Sequence, residues 1–580
     1  MKRMLVLLLA LALCAGLLPG CGVESAVPAS VTEADAASSA EEPSAESVQA
    51  TPQNEVAESA EEENAGEPAA SAEEPAASAE ELPVISYPLT DDTITLTIMS
   101  NCFPDVASML DGQLGNTYAC RRALEVTGVA LDSTLFLDTT AFLMAVTSGD
   151  YPDLFGNNLV NFYTGGRTAM YADGVIIDLS DMLRDCAPDY YRYFSEDENF
   201  AKQLTLDSGE VVSMSVYNKP INQGAVIRQD LLDELNLEIP ETYGELENVL
   251  RAFVDSGRVQ TGLYTYGLLS TDHYSGFYNG FDLAMTGAFM DVDYQVDEDN
   301  RVAMSIMTPQ YREFIEMMAR WYTDGLIPQD FYTLNEGNTN GVLLNATVGF
   351  SYSGVDYMDP AFFNGSAAEG SQWVPIPDIR RTTDQTLRYG PIMQNVTSMC
   401  QLMISSACEY PEIALSYMNW FFTEEGSMAF NLGEEGVSYV DNGDGTYTYT
   451  DLVLHNPEGL AVRQARWLHA GIDVMPFLYV SEWQDGAAAV NDYQRSAAEI
   501  WNQNKVTDGI YYGDLSVEET EEYSAMASDL LTYIYAEIPA FVMGDRPMSE
   551  WDSFQSALSD MGAERMVELK QEAYDRYLQR

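Results

Sequence analysis

The stretch from Gly22 to about Pro83 cannot contribute to a hydrophobic core, which fixes where folding has to begin. It consists of Ala, Ser, Glu and Pro with almost no aromatic or large aliphatic residue, and it carries a tandem repeat, Pro68-Ala-Ala-Ser-Ala-Glu-Glu74 then Pro75-Ala-Ala-Ser-Ala-Glu-Glu81. Too little apolar surface is available to offset the chain entropy of ordering it. It reads as a disordered spacer with a span of order 40 Å, from about 5–6 Å × √n. About 490 residues from Asp91 onward remain, ample for a large core or for more than one domain.

Ahead of the spacer, Met1-Lys2-Arg3 precedes an apolar run from Met4 to Leu18 that ends in Leu18-Pro19-Gly20-Cys21. A charged start and an apolar run too short to span a bilayer read as a signal peptide over 1–20. Leu-x-Gly-Cys resembles the lipobox of bacterial lipoproteins. That resemblance implies that Cys21 is diacylated and anchors residues 21–90, as lipidated N-terminus and linker, to the extracellular face of the cell membrane. Each buried CH₂ of such a chain contributes about 0.8 kcal/mol. No later run is apolar and long enough to span.

The chain has 91 acidic and 27 basic residues, a net charge of −64. Without the two leader cations and the 16 acids between Gly22 and Glu81, the folded part still carries −50. Such a surface repels phosphate backbones and anionic headgroups, which argues against nucleic acid. It does not point to a cationic ligand, because solubility alone explains it. Cys102, Cys120, Cys186, Cys400 and Cys408 are odd in number and lack a C-x-x-C, so they read as buried thiols rather than a disulfide framework or zinc site.

From Asp91 the sequence alternates strand-like and helix-like stretches, which predicts an α/β architecture. Thr93–Met99 alternates polar and apolar residues as a first strand, with a loop at Ser100–Phe103. Ala130–Leu135 reads as a second strand, followed by a helix near Thr140–Ser148 and a turn at Gly149–Asp153. Thr242 and Glu245 are spaced as a capping box ahead of a face made by Leu246, Val249, Leu250 and Phe253. Thr308-Pro309 opens a helix with Phe314, Met317, Met318 and Trp321 inward, and Tyr410-Pro411 opens another. Asp441–Tyr447 predicts a hairpin turn and does not match calcium-loop spacing.

No enzymatic constellation is present in local motifs. The three histidines, His273, His455 and His469, lack i, i+4 spacing, and there is no G-x-S-x-G, S-x-x-K or phosphate-loop pattern. A spatial carboxylate pair, as in an extracellular glycosidase, leaves no local mark and stays open as an alternative. The 35 Tyr, 22 Phe and 7 Trp offer faces for sugar rings, with Asp, Asn and Glu for hydroxyls, although most such rings belong to cores.

Several phrases in order resemble the extracellular solute-binding proteins, family 1, of ABC transporters, in particular the large Gram-positive lipoproteins of carbohydrate uptake. They are Gly149-Asp-Tyr-Pro-Asp153-Leu, the segment from Arg228 through Pro240-Glu-Thr-Tyr-Gly-Glu245-Leu, and Trp321-Tyr-x-Asp-Gly-Leu-Ile. Further on come Pro411-Glu412-Ile-Ala with Asn419-Trp420 and Glu425-Gly426, then Gly433-Glu-Glu-Gly436 and Gln571–Tyr577. Asn236 stands where the family often has glycine, a matter of a helix cap. The resemblance implies a two-lobed periplasmic-binding-protein-like fold of type 2. Lobe one would be 91–215 plus 400–450 and lobe two 216–399 plus 451–580. Crossings are expected near Val216–Gln223 and Met399–Ile404, with a return after Tyr439.

Expected cleft residues are Asn101, Asn157, Tyr163, Tyr217, Asn222, Tyr274, Asp356, Tyr357, Trp373 and Glu435, with no catalytic residue, no metal and no cofactor. The implied function is capture of a small molecule, an oligosaccharide by this family's habit, and its delivery to ABC transporter permease subunits by a monomer. A peptide-binding or sensor lipoprotein is the further alternative.

Overall fold

The predicted alternation builds two four-stranded sheets. The computed structural model describes residues 81–580 apart from 103, 137–139, 219–222, 265–293, 298, 335–338, 389–399, 459, 502, 504 and 507–512, so Cys21 lies outside the described residues. In chain order the sheet strands are β1 (Ile94–Asn101), β2 (Val129–Phe136), β3 (Leu154–Asn157), β4 (Gln223–Arg228), β5 (Leu263–Tyr264), β6 (Phe350–Gly354), β7 (Trp373–Pro375) and β8 (Gln401–Ile404). The first sheet runs β8-β3-β1-β2, with β2 and β3 parallel to β1, and β8 antiparallel to β3. The second runs β5-β6-β4-β7, with β4 antiparallel to both of its neighbours and β5 parallel to β6.

Parallel neighbours need crossovers, and helices supply them. Between β1 and β2 lies Tyr118–Thr127, capped by the Thr117 side chain on the Cys120 N–H and ended by Gly128 in the left-handed region. Thr140–Ser148 follows β2 as the sequence predicts. The Thr242–Glu245 capping box is present, and Leu246, Val249, Leu250 and Phe253 are buried. The helix Pro309–Thr323 buries Phe314, Met317, Met318 and Trp321. Asn236 takes the glycine's place as a left-handed cap at φ 52°. The predicted hairpin pairs Tyr439–Asp441 with Tyr447–Tyr449. In its turn the Asp444 carboxylate accepts from the backbone and hydroxyl of Thr446 at 3.0 and 2.6 Å.

Each sheet has its own core. Leu96, Ile98, Val129, Leu154 and Leu402 pack with the helix Pro411–Trp420 in the first. In the second, Ile227, Phe253, Trp321 and Phe350 pack with Ile534, Phe541 and Phe554 from the C-terminal helices. The expected boundary at 450 is corrected by packing: Trp467, Ile472, Val474, Met475, Phe477 and Tyr479 all lie in the first core. The Phe477 ring stacks on Phe430 with centroids 4.0 Å apart. Hydropathy marks such a segment as buried but does not say in which core. The chain reaches the second sheet at the helix Asp492–Trp501, whose Ala497 and Trp501 pack with Val226, Tyr264 and Trp373 in a further cluster, and the Trp501 Nε1–H donates to the Ala225 carbonyl at 3.0 Å.

At the edge of the first core two segments are tied to each other. The Tyr217 N–H donates to the Phe477 carbonyl at 3.1 Å, and the Tyr479 N–H donates to the Tyr217 carbonyl at 3.0 Å. The crossing expected near Met399–Ile404 instead places Gln401–Ile404 as the wholly buried edge strand β8, which extends the first sheet; Met399 is outside the described residues.

Within lobe two, Glu247 receives Arg320, Arg251 and the Trp321 indole N–H, each at 2.8 Å. The Arg320 bonds hold its carboxyl down to about 2 from 4.5 against the opposing effect of burial. A depressed carboxyl contributes stability that is complete above its unfolded value and lost as pH falls through the folded one. Glu247→Gln is therefore expected to lower unfolding free energy by about 1–3 kcal/mol at pH 7. Denaturant unfolding should show that deficit shrinking as pH drops from 4.5 toward 2; a deficit independent of pH would refute the assignment.

Candidate functional site

Parallel strands bring their carboxyl ends together, and in the first sheet β1 and β3 end on Asn101 and Asn157. Open α/β sheets place ligands outside such ends. Asn157 adopts φ +59°, a conformation asparagine tolerates. Its Oδ1 accepts from the Cys400 N–H at 3.2 Å, and its Nδ2 donates to the Asn101 carbonyl at 3.4 Å. The Asn101 Nδ2 donates to Asn158 Oδ1 at 2.5 Å, leaving the enclosed Asn101 Oδ1 with no hydrogen-bond donor. Three amides thus form one cluster at the strand ends.

The second sheet presents the start of β4 and the end of β6, where Gln223 lies opposite Gly354. The turn Val355–Met358 leaves β6 there and is fixed by later side chains. Gln494 Nε2 donates to the Val355 carbonyl at 3.1 Å, and Asn491 Nδ2 to the Met358 carbonyl at 2.9 Å. Behind β4, Gly224 admits the indole of Trp501, since a Cβ would lie 2.5 Å from that ring.

Between segments of both lobes lies an open cleft of about 390 Å³. Asn161–Gly166 line it from lobe one, while Asp514, Thr520, Ser524 and Lys570 line it from the segments packed on the second core. Tyr163 donates its hydroxyl to Asp173 Oδ2 at 2.6 Å. Burial and then this carboxylate push the phenol well above its ordinary range, keeping it neutral. Asp514, the cleft's acid, is paired with Arg167 at 2.8 Å. Amides, phenols and glycine backbone make a surface for holding polar solutes, with both donors and acceptors on offer.

The other expected residues fall in different places. Tyr217 stacks on Tyr193 at 4.6 Å and meets Phe200 edge-on at 5.0 Å, as packing beside the crossing. Tyr357 sits in the Val355–Met358 turn, bonded to Asn340 Oδ1 at 2.8 Å and packed on Phe362. Asp356 shares that turn, with its side chain outside the described residues, as are Asn222 and Tyr274. Trp373 is 2% exposed in β7, with the Arg228 guanidinium over its ring, so it has no face for a ligand. Glu435 is exposed in the loop bridged to Tyr439, apart from the amide cluster and the cleft lining. Asn158, Asp514 and Lys570 were not legible, because no local pattern announces a residue whose role arises from segments hundreds of positions apart.

Among the described residues no three of His, Cys, Asp and Glu gather as a metal-binding group, and no helix is long and apolar enough to cross a membrane. His455 is exposed beside Asp451, and burial pushes the His469 imidazole below its usual value.

No protein-family model matches the chain. In sequence it is similar to the polygalacturonan/rhamnogalacturonan-binding protein YtcQ of Bacillus subtilis, 26% identical over 162 residues; the match spans 28% of this chain and 31% of YtcQ. A longer match, 20% identical over 489 residues, covers 79% of this chain and 86% of the fructooligosaccharide ABC transporter substrate-binding protein FusA of Streptococcus pneumoniae. In structure it is similar to the alginate-binding protein AlgQ2, with a TM-score of 0.66 at 21% identity over 85% of this chain and 100% of that one. The fold is that of the two-lobed solute-binding proteins.

Substituting Gly224 tests the wall behind the second sheet. Gly224→Ala should displace the Trp501 ring and cost about 1–3 kcal/mol in denaturant unfolding. Combined with Trp501→Ala the cost should be less than additive, and full additivity would refute the contact.

Proposed function

We propose that this chain is an extracellular solute-binding lipoprotein that captures an oligosaccharide between its lobes and delivers it to the permease of an ABC transporter. The observation that carries this reading is the two-lobed fold, with an amide cluster of Asn101, Asn157 and Asn158 at the strand ends of one sheet and a polar cleft between segments packed on the two cores. The sequence relatives, which are named as binding proteins for polygalacturonan/rhamnogalacturonan and fructooligosaccharide, support the same reading. The protein binds and releases; it is not an enzyme.

In this reading lobe one comprises residues 91–215 and 400–479, and lobe two 223–388 and 491–580. Asn101, Asn157 and Tyr163 meet the solute from lobe one, and Asp356 and Tyr357 from lobe two. Hydroxyls of the sugar bond to the amides, ring faces lie on aromatic side chains, and the shut form is what the permease recognises. Cys21 carries the acyl chains that hold the protein at the cell surface, where it works as a monomer.

Thermal unfolding of the protein against a panel of oligosaccharides and peptides tests the assignment. A true ligand at 100 times its Kd should add about 2.7 kcal/mol. Asn101→Ala should lower the melting temperature modestly without ligand, because it removes the bond to Asn158, and should remove most of the stabilisation that the ligand adds. A peptide as the only stabilising class, or release of reducing sugar from the oligosaccharides, would overturn the proposal.

A further inference from the structure

The C-terminal helix Ala563–Leu578 belongs to the second core through Ala563, Met566 and Tyr574, yet its last turn is fastened to lobe one. Arg576 Nε donates to Asp207 Oδ2 at 2.7 Å, and Arg580 Nε donates to Asp207 Oδ1 at 2.8 Å. Arg580 also donates to the carbonyls of Lys202, at 3.0 Å, and Thr205, while the Tyr577 hydroxyl bonds Asn199 at 3.0 Å. The exchange is reciprocal. Arg167 of lobe one reaches Asp514 beside that helix at 2.8 Å, and Asp514 lies 3.4 Å from Arg580.

In a chain with 27 basic residues against 91 acidic ones, three arginines converge on this seam. The Arg576 and Asp207 side chains are 34% and 30% exposed, so salt reaches that pair, whereas the Arg167 and Arg580 side chains are nearly enclosed. The seam also adjoins the cleft and the crossing. Asp514 and Lys570 line the cleft, as does Gly166 next to Arg167. On the other side Phe200, next to Asn199, packs on the Tyr217 ring. Gly513 lets its loop lie on the helix, because a Cβ there would come 2.4 Å from the Ala573 carbonyl.

We propose that Arg576 and Arg580 with Asp207, and Arg167 with Asp514, form an electrostatic strap across the lobes that sets how far the cleft opens. This rests on the reading of that cleft as the ligand site and adds its regulation: ionic strength and the charge of these groups govern the resting angle of the lobes. Opening the cleft on this side takes both guanidinium groups away from Asp207 and uncovers Arg167.

The test is the inter-lobe distance in the full chain without added solute, read by energy transfer between fluorophores on non-natural residues at the exposed positions Met144 and Tyr332. Raising salt from about 0.05 M to about 1 M, which shortens the Debye length to ~3 Å, should lengthen the distance in the unaltered chain. Asp207→Asn should lengthen it at low salt and remove most of the salt response. Asp207→Glu, which keeps the carboxylate, should leave both the distance and its salt response close to those of the unaltered chain. A distance that ignores salt in the unaltered chain, or one in folded Asp207→Asn that at low salt equals the distance in the unaltered chain, overturns the strap. Neither measurement uses a sugar, so a responsive chain that binds no oligosaccharide defeats the ligand reading alone, and a sugar-binding chain of fixed distance defeats the strap alone.

Discussion

Tyr217 gives its backbone N–H to Phe477 and takes one from Tyr479, so the two segments that leave the first core form a single ribbon at its edge. The ring of the same residue is packed between Tyr193 and Phe200, which fixes the lobe-one end of that ribbon. Hinge motions are absorbed by a few residues at element ends. Here the bonded pair stands at the edge of the first core, where both segments leave it.

The acidic composition takes on structural meaning when the arginines are located. Arg167, Arg228 and Arg466 have side chains that are 3%, 6% and 4% exposed, each paired with an aspartate. Arginine suits this use because its guanidinium stays charged and serves carboxylates and carbonyls together. Arg466, for example, bonds the Gly471 carbonyl at 3.1 Å and Asp473 at 2.9 Å. With 27 basic residues against 91 acidic ones, and several of those cations enclosed, carboxylates dominate the surface and repel one another.

Elements whose cause is local were legible in the sequence. Thr242 with Glu245, Pro309, Pro411 and the Asp441–Tyr447 turn all specify their structure within a few residues, and each matches the fold. Asn101 and Asn157 were also within reach, because parallel strands deliver their carboxyl ends to a common edge. Trp373 misled because an aromatic residue in a strand next to a loop looks the same whether its face is open or covered by Arg228. The end of lobe one was misplaced for a related reason: Phe477 finds Phe430 by stacking, and no periodicity encodes which of two cores a ring will join. Asp514 and Lys570 stayed invisible since their significance comes entirely from residues brought in from elsewhere.

Trp501 closes the back of a sheet whose β4 begins at Gln223, with its indole donating to Ala225 across 276 positions. The first sheet is equally dependent on what comes late, needing β8 and then Phe477. Pairing over such separations is slow, because the closure entropy of the intervening loop is lost before any contact compensates it. Neither core can therefore be completed by the portion of chain first to leave the ribosome. Each sheet is closed only by residues from the last third of the chain.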